Sequence, residues 1–107
     1  CTDAVAFDQQ AAAESAISCL MAALSGANLV HDVGFTEAAN SASLELIAAT
    51  DEFISMIRYI MDGIEVTPEA LALDVVDQVG PGGSYFGEEH TARHFRENWF
   101  SQLDRKS

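Results

Sequence analysis

Three groups of residues have the types and spacing that chemistry requires. The first is His90 and His94, four apart, with Glu88 and Glu89 beside them. On a helix such positions share a face, so both imidazoles could turn to one metal ion. The order differs from HExxH, where a glutamate between the histidines acts as base. Helical histidine pairs without a third clear ligand are more often capping or surface groups, and the sequence is read as holding no metal. The second group is Gly80-Pro81-Gly82-Gly83, followed by Tyr85, Phe86 and Gly87. So many glycines mark positive φ or close approach to something. No Gly-Lys-Ser/Thr follows and no strand precedes, so the run is neither a phosphate loop nor a dinucleotide fingerprint. A plain connector and a ligand-facing loop fit it equally well. The third group is His31-Asp32, either a hydrogen-bonded couple in a core or a pair near the end of a strand, aimed into a site. The rings of Tyr85, Phe86, Phe35 and Trp99 can hold a quaternary ammonium by cation–π attraction, about 0.5–2 kcal/mol each, although rings at such positions are core by default.

The elements that must position these residues are mostly helical. A helix is predicted over 9–24, capped by Asp8, with Ala13, Ile17, Leu20, Met21 and Leu24 along one face and Gly26 past its end. Residues 28–34, a short run with the β-branched Val30 and Val33 between Gly26 and Gly34, read as a buried strand. Residues 4–7 could add a short second one. A small-residue helix is expected over 37–49, then a separate helix capped by Thr50 with Phe53, Ile57, Ile60 and Ile64 at helical spacing. Thr67-Pro68-Glu69 starts another, with a capping hydroxyl, proline at the first helical position and an acid in the first turn. Its stripe of Leu71, Val75 and Val79 stops at Gly80-Pro81. A last helix is expected from about 87 to 100. A single buried strand leaves backbone groups that need neighbours on both sides. Helix, strand and helix with apolar faces read as one or two units of a repeating α/β architecture, and the opening Cys1-Thr2-Asp3 in place of a methionine hints at a part upstream. The alternative is a stand-alone helical interaction module, with residues 29–33 as a buried linker and an apolar stripe that binds a partner helix.

Composition narrows the classes. The 107 residues carry a formal net charge of −12 with only five Lys and Arg, which argues against a nucleic-acid partner, because phosphate binding rests on clustered cations. An acidic surface can steer a cationic substrate, but most acidic surfaces serve solubility. Cys1 and Cys19 make no disulfide framework and no CxxC pair, which fits a reducing, cytoplasmic setting. No apolar run approaches the roughly 20 residues that span a bilayer, and no signal peptide is recognisable.

The sequence resembles the trimethylamine methyltransferase-like family, corrinoid-dependent enzymes that demethylate methylamines and quaternary amines such as glycine betaine. The resemblance runs through Thr2-Asp3, Asp8-Gln9-Gln10-Ala11 and Leu24-Ser25-Gly26-Ala27-Asn28-Leu29-Val30-His31-Asp32-Val33-Gly34. It continues through Gly63-Ile64-Glu65-Val66 and Leu71-Ala72-Leu73-Asp74-Val75, and most specifically through Gly80-Pro81-Gly82-Gly83 with Gly87-Glu88-Glu89-His90-Thr91. It implies an α/β fold in which residues 1–107 are the incomplete C-terminal fragment of a (β/α)8 TIM-type barrel, inactive alone, mostly helical here with one or two short strands. It implies a methyl group moved from a small cationic amine to the Co(I) of a corrinoid carried on a partner protein, with no cofactor bound directly. Methanogenesis is one setting for such chemistry, and the parent enzyme is expected to be a homo-oligomer. The catalytic residues, including any pyrrolysine, are expected upstream. Tyr85, His90, Gly82 and Gly83 are expected at the barrel mouth, with Tyr85 and His90 forming part of the substrate pocket and His31, Asp32 and Glu37 lining or approaching it. After Gly34 the chain reads Phe35-Thr36-Glu37 where the family pattern leads one to expect a tyrosine and a glycine, a departure that bears on substrate class.

Overall fold

The computed structural model describes residues 1–101, in which residues 1–62 form one compact unit and residues 63–100 another. In the first unit, helix α1 (Gln9–Leu24) begins where the Asp8 carboxylate accepts the Ala11 N–H at 3.0 Å, as its sequence position predicts. It ends at Ser25, whose hydroxyl donates to the Ala22 carbonyl at 2.8 Å. The face it buries is not the expected stripe of large apolar residues. Ala11, Ser15 and Cys19, at i, i+4 and i+8, are the buried positions, whereas Ile17, Met21 and Leu24 are each more than half exposed. Small side chains let the α1 backbone come close to helix α2 (Leu44–Met61), its main packing partner. The centre of the unit is accordingly small, with Ala4, Ala11 and Leu46 clustered and Leu46 fully buried.

Residues 28–34 do not form the expected strand. Leu29 is 76 % exposed, Asp32 adopts a left-handed φ of 64°, and the segment turns at Gly34, whose carbonyl accepts the Ser43 N–H at 2.9 Å. A strand exists only where a ladder partner does, and pairing starts one residue later, between β1 (Phe35–Thr36) and β2 (Ser41–Ala42) in antiparallel register, Phe35 opposite Ala42 and Thr36 opposite Ser41. Among the described residues this two-stranded sheet is all the β-structure there is. The N-terminal segment lies along it: Thr2 N–H donates to the Phe35 carbonyl, Glu37 N–H to that of Ala4 and Ala38 N–H to that of Thr2, at 3.0–3.2 Å. The helix expected from residue 37 is absent as well. Glu37, Ala38 and Ala39 instead make a left-handed turn, with φ of 50°, 51° and 75°, that joins the two strands.

Helix α2 is one helix where two were expected. Its cap is Ser43, whose hydroxyl accepts the Leu46 N–H at 3.1 Å. Thr50 lies inside it and donates its hydroxyl to the Leu46 carbonyl at 2.7 Å rather than capping a new start. Gly34 packs against this helix so closely that an alanine Cβ there would lie 2.2 Å from Ile47 Cγ1.

The second unit consists of short helices. Thr67 caps α3 (Pro68–Leu71) through the Ala70 N–H at 3.1 Å, as the Thr-Pro-Glu signature predicts. The expected continuous helix is broken at Ala72, in the left-handed region with φ of 48°, before α4 (Leu73–Val79) stops at Gly80. Helix α5 (Glu89–His94) is shorter than expected and runs into a single 3₁₀ turn, Phe95–Glu97, leaving Trp99 and Phe100 beyond it. No residue between 63 and 100 is fully buried. No helix among the described residues is long and apolar enough to cross a membrane.

Candidate functional site

The polar centre of the second unit is built on Glu69, in the first turn of α3, and on His90 and His94, one turn apart on α5. Proline and the Thr67 cap fix the start of α3 and therefore the direction of Glu69. The Glu69 backbone carbonyl accepts from His90 Nε2 at 2.7 Å, and its carboxylate Oε1 lies 3.0 Å from His94 Nε2 and 3.2 Å from Arg93 Nη1. The two imidazoles stand 4.4 Å apart between ring centroids. Glu97 closes the group from the 3₁₀ turn, both of its oxygens lying 2.9 Å from His94 Nδ1. His94 is thus placed between two carboxylates, and its pKa is raised, first by the bond to Glu69 and next by that to Glu97. Glu69 is held below its ordinary value by the same bond and by the Arg93 charge. The His90–His94 spacing was legible in the sequence. Glu69 was not, because it comes from a different helix, 21 residues before His90.

The glycine-rich loop leads into this centre. Gly82 has a φ of 76°, and Gly83, whose N–H donates to the Gly80 carbonyl at 3.3 Å, sits where a Cβ would lie 2.5 Å from the Val79 side chain and carbonyl. Gly83 is therefore required for close packing of the loop on the end of α4. Tyr85 is partly exposed, its carbonyl accepting the Glu88 N–H at 3.2 Å, and the Phe86 ring is 95 % exposed, so neither ring is core.

His31, Asp32 and Glu37 belong to the first unit. His31 Nδ1 and Asp32 Oδ2 are 2.8 Å apart with both side chains largely exposed, a local couple on the surface rather than in a core. Glu37, in the left-handed turn, accepts the Ser41 hydroxyl at 2.5 Å. The structure thus gathers Gly82, Gly83, Tyr85 and His90 on one continuous stretch of the second unit, and His31, Asp32 and Glu37 on one stretch of the first. Sequence reasoning passed over a cleft of about 370 Å³ along one face of α2, lined by Asp51, Glu52, Ile54, Ser55, Arg58, Tyr59 and Asp62. None of the residues singled out from the sequence lines it. Its signal was present as acids recurring with Arg58 and Tyr59 at helical spacing.

Over residues 1–105 the chain matches the trimethylamine methyltransferase family, MTTB. It is 35 % identical over 96 residues to trimethylamine methyltransferase MttB of Desulfitobacterium hafniense, covering 90 % of this chain and 19 % of that protein. With MttB2 of Methanosarcina mazei the identity is 34 % over 90 residues, 84 % of this chain and 18 % of the relative. With the glycine betaine methyltransferase of Desulfitobacterium hafniense it is 30 % over 100 residues, 92 % and 21 %. The chain spans about a fifth of the length of these curated relatives. The match runs through both units, from the Thr2 contacts with the strand pair to the Glu69–His90–His94 centre, and on that ground the chain belongs to the trimethylamine methyltransferase family.

Proposed function

We propose that this chain is the C-terminal part of a (β/α)8 barrel enzyme that moves a methyl group from a trimethylamine- or glycine betaine-type amine to the Co(I) centre of a corrinoid carried by a separate protein. The observation that carries this reading is the match over residues 1–105, with named relatives that act on both kinds of amine. In the reaction the C–N bond breaks, the cationic nitrogen keeps the electron pair and leaves as a neutral amine, and the methyl group is bonded to cobalt by the two electrons of Co(I). No proton need be moved, so the protein's task is to position the amine and supply a suitable electrostatic environment. Two of the candidate residues, Asp32 and Glu37, are acids, the residue type that attracts a cationic substrate. In the first unit Asp32 and Glu37 offer acidic side chains; in the second, taken by itself, Tyr85 offers a ring face and Gly82 and Gly83 a backbone without side-chain bulk. His90, anchored on Glu69, holds the far end of the loop that carries Tyr85.

Exposed apolar residues support a larger barrel around this chain. Ile17, Met21, Leu24, Leu29, Leu44 and Ile64 all lie open here, more than isolated surface residues of a finished domain would provide. An interaction module shares that exposure but gives no account of the family match.

The test is methyl transfer by the whole enzyme containing this segment, followed as conversion of Co(I) to methylated corrinoid with trimethylamine, glycine betaine and related amines in turn. At least one should be demethylated, and Tyr85→Ala should raise KM for it about 2- to 30-fold, the equivalent of one cation–π contact. Failure to demethylate any tertiary or quaternary amine would overturn the proposal.

A further inference from the structure

The second unit brings together donor atoms from two helices. Glu69, His90 and His94 each offer one ligand atom, and the three atoms lie within 4.8 Å of one another. We infer that these residues bind one divalent transition-metal ion of the zinc class, which clips α3 to α5.

The donor chemistry selects the ion. Two imidazoles and one carboxylate are the ligand set of zinc and of neighbouring first-row metals, and a poor one for calcium or magnesium, which take oxygen ligands. Metal–ligand bonds of about 2.0–2.2 Å in a tetrahedron put ligand atoms about 3.4 Å apart. Glu69 Oε1 and His94 Nε2 are already 3.0 Å apart, and closing the third ligand needs a displacement of about 1.5 Å or less, within reach of side-chain rotation at partly exposed positions. His94 is also prepared for the role. Its Nδ1–H donates to Glu97, the carboxylate–histidine arrangement that fixes a ring and leaves Nε2 facing the metal. The ion takes the place of the bond between His94 Nε2 and Glu69 Oε1. Arg93 then loses its place on Glu69 Oε1 and keeps Glu89, already 3.8 Å away.

The fold gives such an ion something to do. Residues 63–100 contain no fully buried residue, and chain segments below about 40 residues rarely hold together through apolar burial alone. A metal across Glu69 and the histidine pair closes a loop that contains α4 and the glycine-rich run. The sequence spacing was read as metal-free for want of a third ligand, and Glu69 is that ligand.

The purified full chain, stripped by chelator, is titrated with Zn²⁺ alone, and with Co²⁺ alone as a spectroscopic reporter of coordination. One ion should bind per chain. His94→Ala and Glu69→Gln should each weaken binding by more than tenfold, and Glu97→Gln by about 10- to 100-fold, as expected for a group that orients a ligand. His31→Gln should bind as the unaltered chain does, and circular dichroism checks that each variant keeps its helices. Absence of stoichiometric binding, or equal binding by His94→Ala and Glu69→Gln, would overturn the inference, as would loss of binding in His31→Gln. None of these readouts involves methyl transfer, so the metal site and the methyltransferase reading stand or fall separately.

Discussion

Replacing Gly34 by alanine separates two costs that the structure places at one residue. At a φ of 83° an L-residue costs about 1–2 kcal/mol relative to glycine. The new Cβ would also lie 2.2 Å from Ile47 Cγ1, 3.0 Å from its Cδ1 and 3.4 Å from the Ser43 carbonyl. Ile47 is partly exposed and can swing away, but a β-branched residue in a helix has one favoured rotamer, and leaving it costs about 0.5–1.5 kcal/mol. Gly34→Ala should therefore destabilise the first unit by about 1.5–3.5 kcal/mol. Gly26→Ala provides the comparison, since Gly26 has a φ of 80° with nothing within 4 Å of the added atom. It should show only the backbone cost of about 1–2 kcal/mol. Adding Ile47→Ala to Gly34→Ala should return the steric part, seen as a favourable coupling of about 0.5–1.5 kcal/mol in a double-mutant cycle. Urea unfolding followed by circular dichroism measures the unaltered chain, the single variants Gly26→Ala, Gly34→Ala and Ile47→Ala, and the double variant. If Gly34→Ala proves no worse than Gly26→Ala, or the cycle shows no coupling, the close approach of Gly34 to α2 is refuted.

Ser43→Ala removes the hydroxyl that accepts the Leu46 N–H and should lower stability by about 1 kcal/mol in the same unfolding assay, whereas Thr50→Ala, if Thr50 were the cap, would be the larger loss. Glu14 accepts the Thr2 hydroxyl, the Gln10 amide and the Asp3 N–H, and these bonds, the first foremost, hold its pKa below the ordinary value. A carboxylate depressed in the folded state stabilises above its unfolded pKa and ceases to do so as pH falls through the folded one. The N-terminal segment should therefore loosen below the normal glutamate range, seen as faster amide exchange at Asp3, and Glu14→Gln should lose that pH dependence. Parallel acid behaviour of Glu14→Gln and the unaltered chain would show that Glu14 does not tether the segment.

The parts of the fold that were legible in the sequence are those fixed by local chemistry. Asp8, Thr67-Pro68 and Gly80 mark helix ends through hydrogen bonds and dihedral limits that act within a few residues, and they stand where expected. What failed depended on distant partners. The strand expected at 28–34 had the right residue types but no ladder partner at that register, and the pairing passed to Phe35 and Thr36. The buried face of α1 was misjudged because size was taken as the measure of burial, while the contact with α2 selects the small residues Ala11, Ser15 and Cys19. Thr50 looked like a cap because a hydroxyl can serve either a helix start or the carbonyl four residues back, and only the continuous backbone decides. The histidine pair was visible from spacing, and its acidic partner was hidden by the distance between α3 and α5 along the chain.

The left-handed turn at Glu37, Ala38 and Ala39 has a consequence for motion. Three successive non-glycine residues in that region cost about 1–2 kcal/mol each, and what holds two of them there is the pair of N–H bonds from Glu37 and Ala38 to the carbonyls of Ala4 and Thr2. Release of the first four residues removes those bonds and lets the turn relax toward the right-handed basin in the same event. The N-terminal segment and the tip of the strand pair thus form one opening unit, and the amides of Glu37 and Ala38 should exchange with solvent at a common rate that lengthening or trimming the first residues would change together.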